Sequence, residues 1–393
     1  MTPSARAQAA IDLLDEIIAA ARDNGSAADH IAKRFFAGRR YAGSKDRRAI
    51  RELVWRAIRS FGERPENGRA AFVALADNDA DLANCFDGSG YGAAAMTPDE
   101  PRAATGLLPA WLAGLFAEPI DEAEQRALME RAPLDVRVNT LLSDRDTVSA
   151  EIPEGQPLAL PNALRLPTDF VLDNHAVYNR GLIEVQDYGS QLIVAACNAQ
   201  PGNTVLDLCA GAGGKTLALA AAMQGKGQLI ATDTNRNRLD QLRLRMQRAE
   251  AGFIEPLLLN PGKELAMMSE LTGYCDLVLV DAPCSGTGTW RRSPETRWRL
   301  NEARLKRVIE EQAKLLRIAS ELVAPGGALV YAVCSVLDVE GTSQVDIFLN
   351  DNTGWVAEPI TALPAGRTYG AGILITPAHD NCDGFFFARM RKL

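Results

Sequence analysis

The chain has 393 residues, 47 % of them hydrophobic and 23 % charged, with a net charge of −8. That is the composition of an ordinary soluble protein of about two to three domains, with no run near the ~18 apolar residues of a membrane helix. Acids interrupt the apolar N-terminal stretch, which argues against a signal peptide; seven cysteines without a CxxC pair fit a reducing cytoplasm and argue against a disulfide framework or structural zinc, so no metal is expected.

Residues 5–61 read as helices: Ile11, Leu14 and Ile18 repeat at helical spacing, as do Ile50, Leu53, Val54, Ala57 and Ile58, with Ser44 a candidate N-cap. Ten Lys/Arg against two acids lie between Lys33 and Arg59. Arg47, Arg48 and Arg51 share the polar face of the last helix, either as a solvated face or as a surface that follows a phosphate backbone. Residues 62–105, rich in Gly, Ala, Asn and Asp, read as a loose interdomain linker. From 106 to 180 an amphipathic segment, a strand at 136–142, a short helix (DRDTVSAEI) and two β-rich pieces (ALRLP and DFVLDN) suggest a small α+β module.

From residue 200 strands and helices alternate. Strands are expected at 204–208, 228–232, 254–259, 277–280 and 328–333, with helices near 215–223, 235–250 and 301–323 between them. This is the pattern of a Rossmann-like, doubly wound α/β sheet, completed by two strands at 372–375 and 385–390. Functional residues of such sheets gather at the strands' carboxyl ends. The first strand runs into Asp207-Leu-Cys-Ala-Gly-Ala-Gly-Gly-Lys-Thr, a glycine turn that lets a ligand approach the backbone. Cys209 stands where a P-loop requires glycine, which argues against a nucleotide triphosphatase. Asp233, ending the second strand, suits ribose hydroxyls or, alternatively, a helix cap. A ligand with a ribose and no long phosphate chain fits best, and S-adenosylmethionine leads.

The run Leu277–Val280 stops at Ala282-Pro283, which places Asp281 and Cys284 in the loop beyond the strand's carboxyl end. Cys334 ends the next strand. A cysteine on an apolar strand is usually a small core residue, but two thiols at neighbouring strand ends beside a cofactor pocket point to chemistry. Seven Lys/Arg against two acids follow between Arg291 and Arg307. Arg291, Arg292, Arg297 and Arg299 are candidates for phosphate contacts, and Trp290 and Trp298 for base stacking or for core packing.

RVNT (137–140), VQDYGSQ (185–191), DLCAGAGGKT (207–216), DTNRNRL (233–239), DAPCSGTG (281–288), Cys334 in VCS and DGFF (383–386) occur in an order that resembles the RsmB/Nop/Sun family of RNA cytosine-5 methyltransferases. The resemblance covers 108–393; the N-terminal helices resemble the NusB-like RNA-binding domain of that family's RsmB branch. It implies a domain plan of 1–61 (helical, NusB-like), 62–105 (linker), 106–180 (small α+β RNA-binding module) and 181–393 (Rossmann-like methyltransferase). It also implies S-adenosylmethionine held by Cys209, Ala210, Gly211, Ala212, Gly213, Gly214, Lys215, Asp233, Arg238, Asn260 and Asp281. Cys334 would be the nucleophile at cytosine carbon-6, Cys284 the helper in elimination, Asp281 the partner of the base edge and Lys215 its support. RNA contacts would include Arg47, Arg48, Arg51, Arg291 and Arg292. Ala212 replaces the family's usual proline, Val333 its threonine, and Asn260 an aspartate at the adenosine end. The expected protein is a cytoplasmic monomer acting on small-subunit ribosomal RNA, with tRNA, or RNA binding without catalysis, as alternatives. An amino-methylating enzyme would carry an NPPY-like loop where this chain has APCS.

Overall fold

Ile11, Leu14 and Ile18 line the buried face of helix α1 (Pro3–Arg22) in the computed structural model, which describes residues 1–23 and 25–393. The chain forms two units, one of residues 1–131 with 289–302 and one of 132–288 with 303–393. In the first, α1 packs with α2 (Ala28–Ala37), α3 (Ser44–Ser60) and α4 (Gly68–Ala76) around Leu14, Ile31, Phe35, Val54, Ile58 and Phe72. Gly43 rather than Ser44 is the cap residue of α3, and its amide donates to Asp46 in the first turn at 3.3 Å.

Residues 62–105 are not a linker, which corrects the expectation. Phe72 and Val73 have no exposed surface, and Asn67 caps α4 by accepting from the Ala70 amide at 2.8 Å. The small residues that resemble linker composition permit close packing instead. A Cβ at Gly68 would lie 2.6 Å from the Ile11 carbonyl, so glycine lets α4 touch α1 backbone to backbone. Residues 106–131 also belong to this unit, where they contribute the helix Glu122–Ala127.

Segment 289–302 completes the helical unit and corrects a second expectation. Trp290 and Trp298 are buried, at 0 % and 5 % exposure, so they pack rather than stack on bases. The C-terminal carbonyls of a helix need donors from elsewhere, and Arg297 supplies them, reaching Ile58 O at 2.5 Å and Phe61 O at 2.8 Å. Trp298 Nε1 donates to the same Phe61 carbonyl at 2.8 Å, and Arg299 donates to the carbonyls of Gly25 and Ser26. Glu295 accepts from the Ala28 amide at 3.1 Å, capping α2. Arg291 is 5 % exposed and turned to the Arg131 carbonyl, which removes it from the open phosphate contacts; Arg292 stays exposed.

The second unit begins with a four-stranded antiparallel sheet, β1 (Leu134–Val138), β2 (Gln156–Pro157), β3 (Ala163–Leu166) and β4 (Ile183–Val185), in the order β2-β3-β1-β4. Its span corrects the expected 106–180, and the DFVLDN piece forms turns rather than a strand. Motif residues fasten it to the rest of its unit. Asn139 Nδ2 donates to the carbonyls of Gly181 and Ala249, both at 3.0 Å, and buried Glu184 accepts from Arg245 at 2.7 Å and Arg248 at 2.6 Å.

The large sheet holds β5 (Thr204–Asp207), β6 (Gln228–Asp233), β7 (Ile254–Leu258), β8 (Cys275–Asp281) and β9 (Val323–Val333), all parallel, in the order β7-β6-β5-β8-β9. Beyond β9 the direction reverses, so the sheet is mixed. β13 (Phe385–Lys392) pairs antiparallel with β9 and is flanked by β10 (Trp355–Ala357) and β12 (Gly372–Ile375), with β11 (Arg367–Tyr369) at the edge. Val278, Leu279, Val280, Val330 and Ala332 have no exposed surface, as apolar runs between two covered faces require. The chain leaves β5 towards β6 on one side and later returns to β8 on the other. The carboxyl ends of β5 and β8 therefore bound a topological switch point, where such sheets bind ligands. Among the described residues no helix is long and apolar enough to cross a membrane.

Candidate active site

A cleft of about 750 Å³ opens at that switch point, within the range of small-molecule sites. From the β5 turn it is lined by Asp207, Cys209, Ala210, Gly211, Ala212, Gly214 and Lys215, from the end of β6 by Asp233, from the helix Arg236–Arg248 by Arg238, and from the ends of β8 and β9 and the loops after them by Asp281, Cys284 and Cys334. Two expected residues lie elsewhere. Gly213 (φ +84°) is buried, and a Cβ there would lie 2.2 Å from Leu242, so it serves helix packing. Asn260 is exposed, with its amide on Met267 Sδ at 3.2 Å, while its neighbour Leu259 lines the cleft. Glu264, Arg304 and Glu311 also line the cleft and carry no motif that the sequence reading used.

The β5 turn needs its glycine: Gly211 has φ +57°, and the space where a Cβ would point is open. Asp233 fixes this turn. Its Oδ2 accepts from the Gly211 amide at 2.9 Å and its Oδ1 from the Asn235 amide at 2.7 Å. Each carboxylate oxygen offers two lone pairs, so Asp233 braces the turn and retains capacity for ligand hydroxyls. The lining carboxylates Asp207, Asp233, Glu264, Asp281 and Glu311 outnumber Lys215, Arg238 and Arg304, which suits a ligand carrying positive charge.

Beside the turn, Lys215 Nζ lies 2.7 Å from Asp281 Oδ2, with the lysine side chain 10 % exposed. Burial draws the Lys215 pKa down, but the Asp281 carboxylate outweighs it and the net shift is upward, so the lysine stays a cation. Asp207 behaves oppositely. Burial, reinforced by the charge of Asp281, pushes it up to about 7, against a hydrogen bond from Thr216 Oγ1 at 2.7 Å.

Asp281 pairs with Ala332 in the β8–β9 register, so the loops bearing Cys284 and Cys334 start side by side. The two sulfurs are 3.2 Å apart. The hydrogen bond between the thiols, and then burial, raise Cys284 well above the ordinary thiol value. Cys284 therefore holds its proton beside the Cys334 sulfur, and either sulfur can act as the donor in this contact. The arrangement can hold a ribose-bearing cation, present two adjoining thiols and place a carboxylate–ammonium pair against a planar polar edge.

A sequence profile of the family described as 16S rRNA methyltransferase RsmB/F matches residues 194–391. The probable ribosomal RNA small subunit methyltransferase B of Synechocystis sp. is 34 % identical over 301 residues, covering 72 % of this chain and 66 % of its own. The chain spans just under two thirds of the length of such curated relatives. A methyltransferase homologue from Pyrococcus horikoshii is similar in structure at TM-score 0.60 and 28 % identity, over 71 % of this chain and 92 % of its own. The crystal structure of PH0851 shares the fold over 100 % of this chain and 99 % of its own, at TM-score 0.80 and 22 % identity.

Proposed function

Because the chain belongs to the RsmB/F methyltransferase family, we propose that it methylates carbon-5 of a cytosine in small-subunit ribosomal RNA, using S-adenosylmethionine and a covalent Cys334 adduct. The observation that carries this reading is the pair of sulfurs 3.2 Å apart beside the Lys215–Asp281 ion pair. Relatives named for small-subunit ribosomal RNA favour that substrate over tRNA, and a complete thiol and carboxylate set favours catalysis over RNA binding alone.

The residues present fit S-adenosylmethionine. The open glycine turn would let it approach the main chain, Asp233 would accept from its ribose hydroxyls, and the acidic lining would meet its positive charge. When bound, it supplies an activated methyl group. Carbon-5 of cytosine is a weak nucleophile, and this chain's own groups raise its reactivity. The Cys334 thiolate adds to carbon-6, which turns carbon-5 into an enamine carbon able to take the methyl group. Asp281, oriented by Lys215, accepts from the amino group and shares with ring nitrogen 3 a proton that the ring takes up as the thiolate adds and gives back on elimination, which stabilises the intermediate. Once the Cys334 sulfur is bonded to carbon-6, its hydrogen bond with Cys284 is weakened, so the first cause of the high Cys284 pKa recedes. The Cys284 thiol then ionises more readily and takes the carbon-5 proton; that electron pair forms the carbon-5–carbon-6 double bond and expels Cys334 as thiolate.

The reading is tested by incubating purified protein with labelled S-adenosylmethionine and undermethylated ribosomal subunits, then locating 5-methylcytosine by bisulfite sequencing. A single protected small-subunit cytosine is expected. Label on an exocyclic amine, or on no RNA, sinks the reading.

Two further expectations concern binding. Asp233→Ala should weaken cofactor binding by about 1.5–3 kcal/mol, the range for hydrogen bonds to a charged group. Unchanged affinity in calorimetry would reduce Asp233 to a brace for Gly211 and Asn235. On the helical unit, exposed Arg48 pairs with Glu52, Arg47 Nε donates to the Ala42 carbonyl, and Arg51 pairs with Asp29 and lies 4.9 Å from the Trp55 ring. Reversing all three arginines to glutamate should lower RNA affinity and flatten its dependence on salt, because phosphate contacts release counterions. Cofactor affinity should hold. Coincident salt titrations of the wild type and the triple variant would remove this face from the RNA contacts.

A further inference from the structure

Cys284 and Cys334 are each followed by a serine, and both serines reach one carboxylate. Ser285 Oγ and Ser335 Oγ both donate to Glu340 Oε2, while the Ser285 amide donates to Oε1 at 2.8 Å. Gln312, on the helix Glu302–Leu322, donates to Glu340 Oε1 at 2.9 Å and to the Pro283 carbonyl at 3.0 Å. The Glu340 carbonyl accepts from the Tyr331 hydroxyl of β9 at 2.7 Å. Around this centre Thr287 Oγ1 lies 3.0 Å from Ser335 Oγ and accepts from the Val336 amide, and the Gly288 amide donates to the Cys334 carbonyl at 3.1 Å.

Glu340 has no exposed surface, and every group bonded to its carboxylate is a neutral hydroxyl or amide. Burying a carboxylate without a cation is costly, and apolar packing would hold two loops together more cheaply. What a satisfied buried network provides instead is one defined arrangement. Here that arrangement fixes the residue after each cysteine against the same two oxygens.

Resting on the covalent reading above, we infer that Glu340 is a positioning residue that sets the spacing of the two thiols, so that Cys284 meets the carbon-5 proton while Cys334 is bonded to carbon-6. Glu340 is not among the residues that line the cleft, and it acts on the elimination through the loop 283–287. Its charge also contributes to the raised Cys284 pKa, after the thiol hydrogen bond, burial and the charge of Cys334.

The test is a denaturing gel with labelled substrate RNA and S-adenosylmethionine, run on the full chain and on Glu340→Gln, Cys284→Ala and their double variant. The glutamine keeps an acceptor for Gln312 and the Ser285 amide and removes the charge that gathers the two hydroxyls. A misplacement of about 1 Å can cost on the order of 100-fold, so elimination by Glu340→Gln should slow by roughly 10- to 100-fold and a denaturant-stable adduct should accumulate. Cofactor affinity should stay within about twofold, and the double variant should be no slower than Cys284→Ala, because the two residues act on one step. A purely structural role would not produce that non-additivity. Adduct with Cys284→Ala but wild-type turnover, or a joint loss of adduct and cofactor affinity, with Glu340→Gln overturns the inference alone. No adduct with Cys284→Ala overturns the covalent reading and the inference with it. Should Glu340→Gln fail to fold, Ser285→Ala decides in the same assay: adduct above the wild-type level supports the inference, and wild-type turnover rejects it.

Discussion

Cys334→Ala should be inactive and leave RNA and protein fully separable in denaturant, whereas Cys284→Ala should accumulate a protein–RNA adduct that survives it. The opposite phenotypes follow from the order of bond making. Without the Cys334 sulfur nothing adds to carbon-6. Without Cys284 addition and methyl transfer proceed, but the proton that must leave carbon-5 has lost its acceptor. The Cys284→Ala adduct should need S-adenosylmethionine to become methylated before stalling, and the double variant should form none. Both cysteines are partly accessible rather than sealed in the core, and each substitution removes one sulfur atom, so general collapse of the fold is not the expected result. An adduct with Cys334→Ala and none with Cys284→Ala would exchange the two roles.

The second large effect is expected at Asp281. Asp281→Asn keeps the shape of the side chain and removes the charge that holds Lys215 at 2.7 Å. If Asp281 stabilises the cytosine edge during addition, kcat should fall on the order of 100- to 10 000-fold, the range of a positioned proton-transfer group. Combined with Cys284→Ala, the same change should erase the trapped adduct, because addition precedes elimination. Lys215→Ala should lower kcat less, and adding it to Asp281→Asn should cost little more, since the lysine acts through the carboxylate. A double variant whose losses multiply would give Lys215 an independent role, and an undiminished adduct in Asp281→Asn/Cys284→Ala would remove Asp281 from the addition step.

The site was legible in the sequence where one local signal placed a residue at a strand end. The Leu277–Val280 run and Pro283 located Asp281 and Cys284, and the same logic located Cys334 at the end of β9. Signals that depend on distant partners were not legible. Glu340 is an acid five residues past Ser335, and nothing local announces that Ser285, 55 residues earlier, donates to it. Arg297 and Trp298 look like RNA contacts in a basic stretch, and only the proximity of Phe61 and Ile58 makes them helix caps. The small residues of 62–105 hid two close-packed helices because alanine and glycine are equally at home in linkers and in tight interhelical contacts.

Segment 289–302 also bears on the order in which the protein matures during synthesis. The helical unit takes Trp290, Arg297 and Trp298 into its interior, yet these residues are translated long after its first 131. Residue 302 follows Arg131 by 171 positions (302 − 131). At ribosomal speeds of about 5–20 residues per second, the nascent helices wait roughly 10–30 s for their last buried tryptophans. During that interval the carbonyls at the end of α3 lack the guanidinium that later serves them, and the apolar faces meant for Trp290 and Trp298 stand open. The N-terminal unit is thus first to begin and late to finish, and its closing segment leaves the ribosome directly behind the Cys284 loop.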